Sequence, residues 1–128
     1  MTTEVGGGYP AAMQLNHLHL HVASIDDAAA FYVGHFGFHR HVVQDDGTLF
    51  LRDAGGMDLA LALGPPDNFP PWAHFGFRLN DADEVRTLYS RLQTAGVAIR
   101  HPLSEEPDFV WFRCADPDGH NIEVYWEP

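Results

Sequence analysis

Positive charge is scarce in this chain. Seven basic residues stand against eighteen acidic ones among 128, a formal net charge of −11. Such a surface repels a phosphate backbone, which argues against nucleic acid as a partner. Cysteine is almost absent. The single Cys114 cannot form an internal disulfide, as expected of a protein in a reducing cytoplasm. No apolar run approaches the ~18 residues that a membrane span needs. The stretch from Met1 to Pro10 lacks the basic start and apolar segment of a secretory signal. No glycine-rich phosphate loop follows a strand pattern, and no serine stands on a nucleophile elbow.

What is present suits a packed domain. Apolar residues make up 45% of the chain and aromatic residues 12%, enough for a core at a length typical of one domain. Residues 1–13, with Gly6-Gly7-Gly8, read as a flexible leader to a single domain over 14–128. Nine histidines are unusual at this length, and their positions matter more than their number.

An internal repeat organises those positions. When the segment from Ala73 is laid over the segment from Asn16, His74 falls on His17, Phe75 on Leu18, Phe77 on Leu20 and Leu79 on Val22. Asp83 falls on Asp26 and Tyr89 on Tyr32, and the ends of the two copies match more loosely. This is the pattern of one supersecondary unit used twice, over about 14–64 and 72–127. Gly64-Pro65-Pro66 and Pro70-Pro71 punctuate the linker between them.

Each copy has the same order. Leu15 to Val22 alternates, with Leu18, Leu20 and Val22 on one face and His17, His19 and His21 on the other, as in a half-buried strand. Ser24 is placed to cap a helix running to about His35, closed by Gly37. Phe38 to Val43 and Thr48 to Arg52 form a hairpin pattern across Asp45-Asp46-Gly47, and Met57 to Leu63 is a further strand. In the second copy Ala73 to Leu79 alternates, Asn80 is the expected helix cap, and Val85, Leu88, Tyr89 and Leu92 make an apolar stripe ended by Gly96. Strands are expected at Val97 to Arg100, Phe109 to Cys114 and Asn121 to Trp126. The order predicts an α+β fold, two βαβββ modules in one domain, with a curved mixed sheet around a central cleft.

The repeat gives His17 and His74 one structural address. Glu123 lies on the last strand, on the face shared with Asn121 and Tyr125, and its equivalent in the first copy is Ala60. Two imidazoles and a carboxylate suit one divalent ion: Fe(II), Zn(II), Mn(II), Ni(II) or Co(II). Three protein ligands leave positions open for substrate. The competing reading is three ordinary strand residues facing water, which matched positions in a repeat make less attractive. His19 and His21 share the face of His17, where an imidazole can act as general base, support the site or simply be exposed.

The stretches Leu15-Asn16-His17-Leu18-His19-Leu20-His21-Val22, Phe31-Tyr32, His74-Phe75-Gly76-Phe77 and Asp116-Pro117-Asp118-Gly119-His120-Asn121-Ile122-Glu123 resemble the vicinal oxygen chelate superfamily. That superfamily spans glyoxalase I, ring-cleaving extradiol dioxygenases, metal-dependent fosfomycin resistance enzymes and bleomycin resistance proteins. The resemblance implies paired βαβββ modules, a homodimer, and metal ligands at His17, His74 and Glu123. It implies a small-molecule substrate whose oxygens chelate the ion.

Two positions depart from particular members. Glyoxalase I usually takes a fourth, acidic ligand from the strand that here carries Ala60, so an open three-ligand site is expected, dioxygenase-like and best served by iron. A lyase or isomerase, a fosfomycin-type transferase and a non-catalytic drug-binding protein are the alternatives. The place where extradiol and fosfomycin enzymes often carry tyrosine holds Arg113, which suits an anionic substrate. Tyr125 is a candidate hydrogen-bond donor to substrate, His19 a candidate proton-transfer group, and Trp111 a candidate pocket wall.

Overall fold

The computed structural model describes residues 8, 10, 12–65 and 69–128. Most of the expected leader lies outside the described residues, as does Pro66. The first module comprises β1 (His17–Val22), α1 (Ile25–Phe36), β2 (His39–Val43), β3 (Leu49–Arg52) and β4 (Asp58–Leu63). The second comprises β5 (Phe75–Arg78), α2 (Ala82–Thr94), β6 (Ile99–Glu106), β7 (Phe109–Ala115) and β8 (Asn121–Trp126). The two modules have the same βαβββ order.

Each module forms its own four-stranded mixed sheet, ordered β1-β4-β3-β2 and β5-β8-β7-β6. In both, the first strand pairs in parallel with the last and the remaining neighbours are antiparallel. The two βαβββ modules expected from the repeat are present, and the mixed sheet is built as two four-stranded sheets, one per copy. Among the described residues no helix is long and apolar enough to cross a membrane.

Local chemistry sets the helix ends. The Ser24 hydroxyl accepts from the Asp27 amide at 3.1 Å, and Asp26 and Asp27 fill the first turn of α1. Gly37 closes it at φ 74, a left-handed conformation that glycine adopts without a Cβ penalty. The α2 cap differs from expectation by one residue. Asp81, not Asn80, accepts from the Glu84 amide at 2.8 Å, while Glu84 reaches back to the Asn80 amide at 2.9 Å. Glu84 is long enough to reach past the cap to the amide of the residue before it, whereas the shorter Asp83 turns to Arg86.

The strand β6 is longer than the pattern suggested, despite Pro102. It lies at the edge of its sheet, where a missing amide breaks no inner ladder, and its register shifts around His101.

One hydrophobic core serves both modules and includes Tyr32, Leu51, Leu59, Phe112, Ile122 and Val124. Full burial of each such side chain contributes about 1.5–3 kcal/mol. Phe36 stacks on Phe77 at 4.9 Å between ring centres, joining α1 to β5. The helices pack on one face of each sheet, with α2 against β7 and β8. Along β7 this makes Val110, Phe112 and Cys114 buried, and leaves Phe109, Trp111 and Arg113 half-buried on the opposite face.

Candidate metal centre

That opposite face of the second sheet collects most of the predicted site. His74 stands just before β5. Its Nδ1 lies 3.2 Å from the Trp72 carbonyl oxygen, which can only accept, so Nδ1 donates there and Nε2 is the nitrogen left to bind a metal when the ring is neutral. That Nε2 lies 3.8 Å from Glu123 Oε1. Glu123 is set in β8, in register with Gly76 on one side and Arg113 on the other. The Arg113 Nε donates to Glu123 Oε1 at 3.0 Å, and its guanidinium sits 5.2 Å from the centre of the Trp111 ring. Tyr125 is directly opposite Trp111 in the ladder. Five of the predicted residues thus share one face: His74, Arg113, Trp111, Glu123 and Tyr125.

The remaining two lie on the first sheet. His17 is exposed on β1 opposite Asp58, and His19 is exposed opposite Ala60. His17 and His74 do line one cavity of about 590 Å³, walled mainly by core side chains such as Phe38, Leu59, Phe75 and Phe77. His17, His74 and Glu123 do not, however, bring ligand atoms within 4.8 Å of one another inside the single chain. His19 meets His21 edge to face at 5.4 Å and borders a smaller hollow of about 280 Å³ that also touches His120. Asp58 is engaged by Arg52, with contacts of 2.7 and 3.3 Å across neighbouring strands. The hydrogen bond from that guanidinium holds the Asp58 carboxyl below its ordinary range.

Among the described residues, the group whose potential ligand atoms do come within 4.8 Å of one another is Asp116, Asp118 and His120. Its donor types could hold a metal ion. Both Asp116 oxygens and Asp118 Oδ1 nevertheless already accept internal hydrogen bonds. Asp116 Oδ2 accepts from the Tyr32 hydroxyl and from His120 Nδ1, each at 2.7 Å. Asp116 Oδ1 accepts from the amides of Asp118 and His120 at 3.0 and 2.9 Å. Asp118 Oδ1 accepts from the Ala23 amide of the other module at 2.9 Å.

Burial raises the Asp116 pKa, but the hydrogen bonds from His120 and Tyr32 outweigh it and hold the carboxyl below its usual range. Burial, then the Asp116 charge, push the Tyr32 phenol well above its usual range. The pattern thus reads more readily as a latch tying α1 to the last turn. Sequence reasoning took His120 for a turn residue and missed this network. The available signal was the Asp-Pro-Asp-Gly-His turn, whose first aspartate is spaced to accept amides two and four residues on.

Comparison with known proteins places the fold. The family model described as Glyoxalase/Bleomycin resistance protein/Dioxygenase superfamily matches residues 14–124. The chain is 29% identical to metallothiol transferase FosB of Shouchella clausii (strain KSM-K16), over 87% of this chain and 78% of that protein. It is 26% identical to a probable trivalent organoarsenical cleaving enzyme of Bacillus subtilis (strain 168), over 89% of this chain and 80% of that protein. A solved structure of a possible glyoxalase from Bacillus cereus matches with a TM-score of 0.74 at 28% identity, over 88% of this chain and 98% of that one.

Proposed function

Since the chain belongs to the glyoxalase/bleomycin resistance protein/dioxygenase superfamily, we propose that it is a divalent-metal-dependent enzyme acting on a small oxygen-chelating substrate, with His17, His74 and Glu123 as ligands. The observation that carries this reading is the His74–Glu123 pair. Two ligands on one ion, with bonds of about 2.1 Å, sit about 3.0 Å apart at a right angle and about 3.4 Å apart at a tetrahedral angle. The Nε2–Oε1 separation of 3.8 Å is a few tenths of an ångström from that range, and the Nδ1 contact with the Trp72 carbonyl leaves Nε2 as the ligating nitrogen of the neutral ring. His74 and Glu123 therefore fit the ion. A divalent ion held there supplies Lewis acidity and, if it is iron, redox chemistry.

The third ligand is assigned to a second copy in a homodimer. His17 is exposed, and within one chain its ligand atoms do not join those of His74 and Glu123 within 4.8 Å, a gap that the His17 of a second copy would close. Arg113 then does two things. Its Nε holds Glu123 in place, and its remaining N–H groups bind an anionic group of the substrate. Tyr125 donates a hydrogen bond to the bound substrate, and His19 accepts or returns a proton.

An open three-ligand site supports a dioxygenase-like reaction, while the likeness to a metallothiol transferase favours a second reading, transfer of a thiol. Oxygen uptake by the iron form supports the first, and thiol consumption by the zinc or manganese form the second. Metal analysis of protein purified without chelator tests the site itself. His74→Ala is expected to weaken binding by about a hundredfold or more, since even loss of a supporting group costs about tenfold to a hundredfold. Unchanged affinity overturns the assignment. Mixing His17→Ala chains with Glu123→Ala chains tests the shared site. Recovery of metal binding and activity in the mixture is expected, and no recovery despite exchange of subunits places all three ligands in one chain.

A further inference from the structure

Beside Glu123, the helix-free face of the second sheet carries more aromatic surface than a water-facing strand needs. Phe109 and Trp111 alternate with the buried Val110 and Phe112, so their rings project away from the core. His101 joins them from the edge strand, stacked on Trp111 at 4.1 Å between ring centres and 20° between planes. Phe109 lies 5.9 Å from Trp111 and 6.0 Å from Tyr125. None of Phe109, Trp111 and Tyr125 packs against the hydrophobic core, which takes in Phe75, Phe77, Tyr89, Phe112 and Trp126 of the same module. Core packing therefore does not explain their presence.

The platform ends at a cation. The Arg113 guanidinium lies over Trp111 and spends only its Nε–H on Glu123, leaving its two terminal amino groups without a protein acceptor among the described residues. Arg113 and Glu123 neutralise each other. The proposed divalent ion would leave this corner with about two positive charges in excess, on a chain whose net charge is −11. A flat ring and an adjoining anionic group are what the two halves recognise together.

Resting on the metal-site reading above, we infer that the substrate is an aromatic acid, its ring laid against the Trp111 platform and its carboxylate bound by Arg113. Specificity for such molecules then divides between two residues. Trp111 selects the ring, and Arg113 selects the charge. An aliphatic acid satisfies only the second, and a neutral aromatic amide only the first.

Three small probes of similar size separate these contributions: benzoate, cyclohexanecarboxylate and benzamide. Binding is read by calorimetry and by chemical-shift changes of the indole N–H groups, in metal-loaded wild type and in metal-free His74→Ala. Benzoate is expected to bind about tenfold more tightly than either analogue. Trp111→Leu removes the preference over cyclohexanecarboxylate but keeps that over benzamide, and Arg113→Met does the reverse. Circular dichroism confirms that each variant is folded. Equal affinity for all three probes, or no saturable binding of benzoate by metal-loaded protein, overturns the inference. If no metal binds the wild type but benzoate is still preferred and the two variants still divide the preference, the metal reading fails and the aromatic-acid site stands. If metal binds as proposed and the preference is missing, only the aromatic-acid site falls.

Discussion

Replacing Asp116 with asparagine probes the contact that ties α1 to the turn before β8. The asparagine oxygen can keep the two backbone amides that Oδ1 accepts, but its NH2 faces the Tyr32 hydroxyl and His120 Nδ1 where Oδ2 accepted both. The Asp116 side chain has 0% exposure, so water cannot take over as acceptor. A hydrogen bond to a charged group contributes about 1.5–3 kcal/mol net. Losing one and weakening the other costs about 3 kcal/mol, out of a total stability of about 5–15 kcal/mol. For a domain of this size the melting temperature falls by roughly 10–15 °C.

The pH dependence has a definite sign. Hydrogen bonds overcome burial and hold the folded-state pKa of Asp116 below its unfolded value. Its contribution is therefore fully present above about pH 4 and lost as pH falls through the lower folded value. Urea unfolding followed by circular dichroism, at about pH 7 and about pH 3, measures both. The gap between wild type and Asp116→Asn is expected to be full at the higher pH and smaller at the lower. A gap under about 1 kcal/mol near neutrality, or one that widens on acidification, refutes the assigned network.

Other outcomes follow from single contacts. A Cβ added at Gly64 would lie 2.9 Å from His21 Cγ and 3.2 Å from His21 Cβ, so Gly64→Ala is expected to cost about 1–2 kcal/mol. Adding His21→Ala should recover most of that, and equal losses in the two backgrounds would disprove the clash. Burial, with a smaller effect of the Asp116 charge, pushes the Cys114 thiol up to about 12. A thiol-specific disulfide reagent should label it only as the chain unfolds, and rapid labelling of the folded protein would contradict this. In His74→Ala, chelator should leave the melting temperature unchanged, because both Asp116 oxygens and Asp118 Oδ1 already accept internal hydrogen bonds. A fall of more than about 2 °C would mean that this cluster binds an ion after all.

The repeat carried much of the architecture. Alternation in Leu18-Leu20-Val22 and Phe75-Phe77 marks which strand face meets the core, and Ser24 with Gly37 marks the ends of α1. These are local signals, read from periodicity and capping chemistry. The α2 cap slipped by one residue because the choice between Asn80 and Asp81 depends on which acid three residues on is long enough to reach back. The extent of β6 was hidden because Pro102 is tolerated only on an edge strand, and strand order is not a local property.

The candidate site divides in the same way. Sequence alone determined that His17 and His74 are equivalent, that Glu123 shares a face with Tyr125, and that Ala60 stands at the Glu123-equivalent place on the first sheet, because strand alternation and a repeat suffice for that. Tertiary structure alone decided that Arg113 grips Glu123, that Arg52 claims Asp58, and that Tyr32, Asp116 and His120 lock together. Apart from Asp116–His120, which share one turn, each of those contacts joins residues on different strands or modules. Strand register and the packing of α1 against the last turn bring them within bonding distance, and no spacing along the chain encodes either.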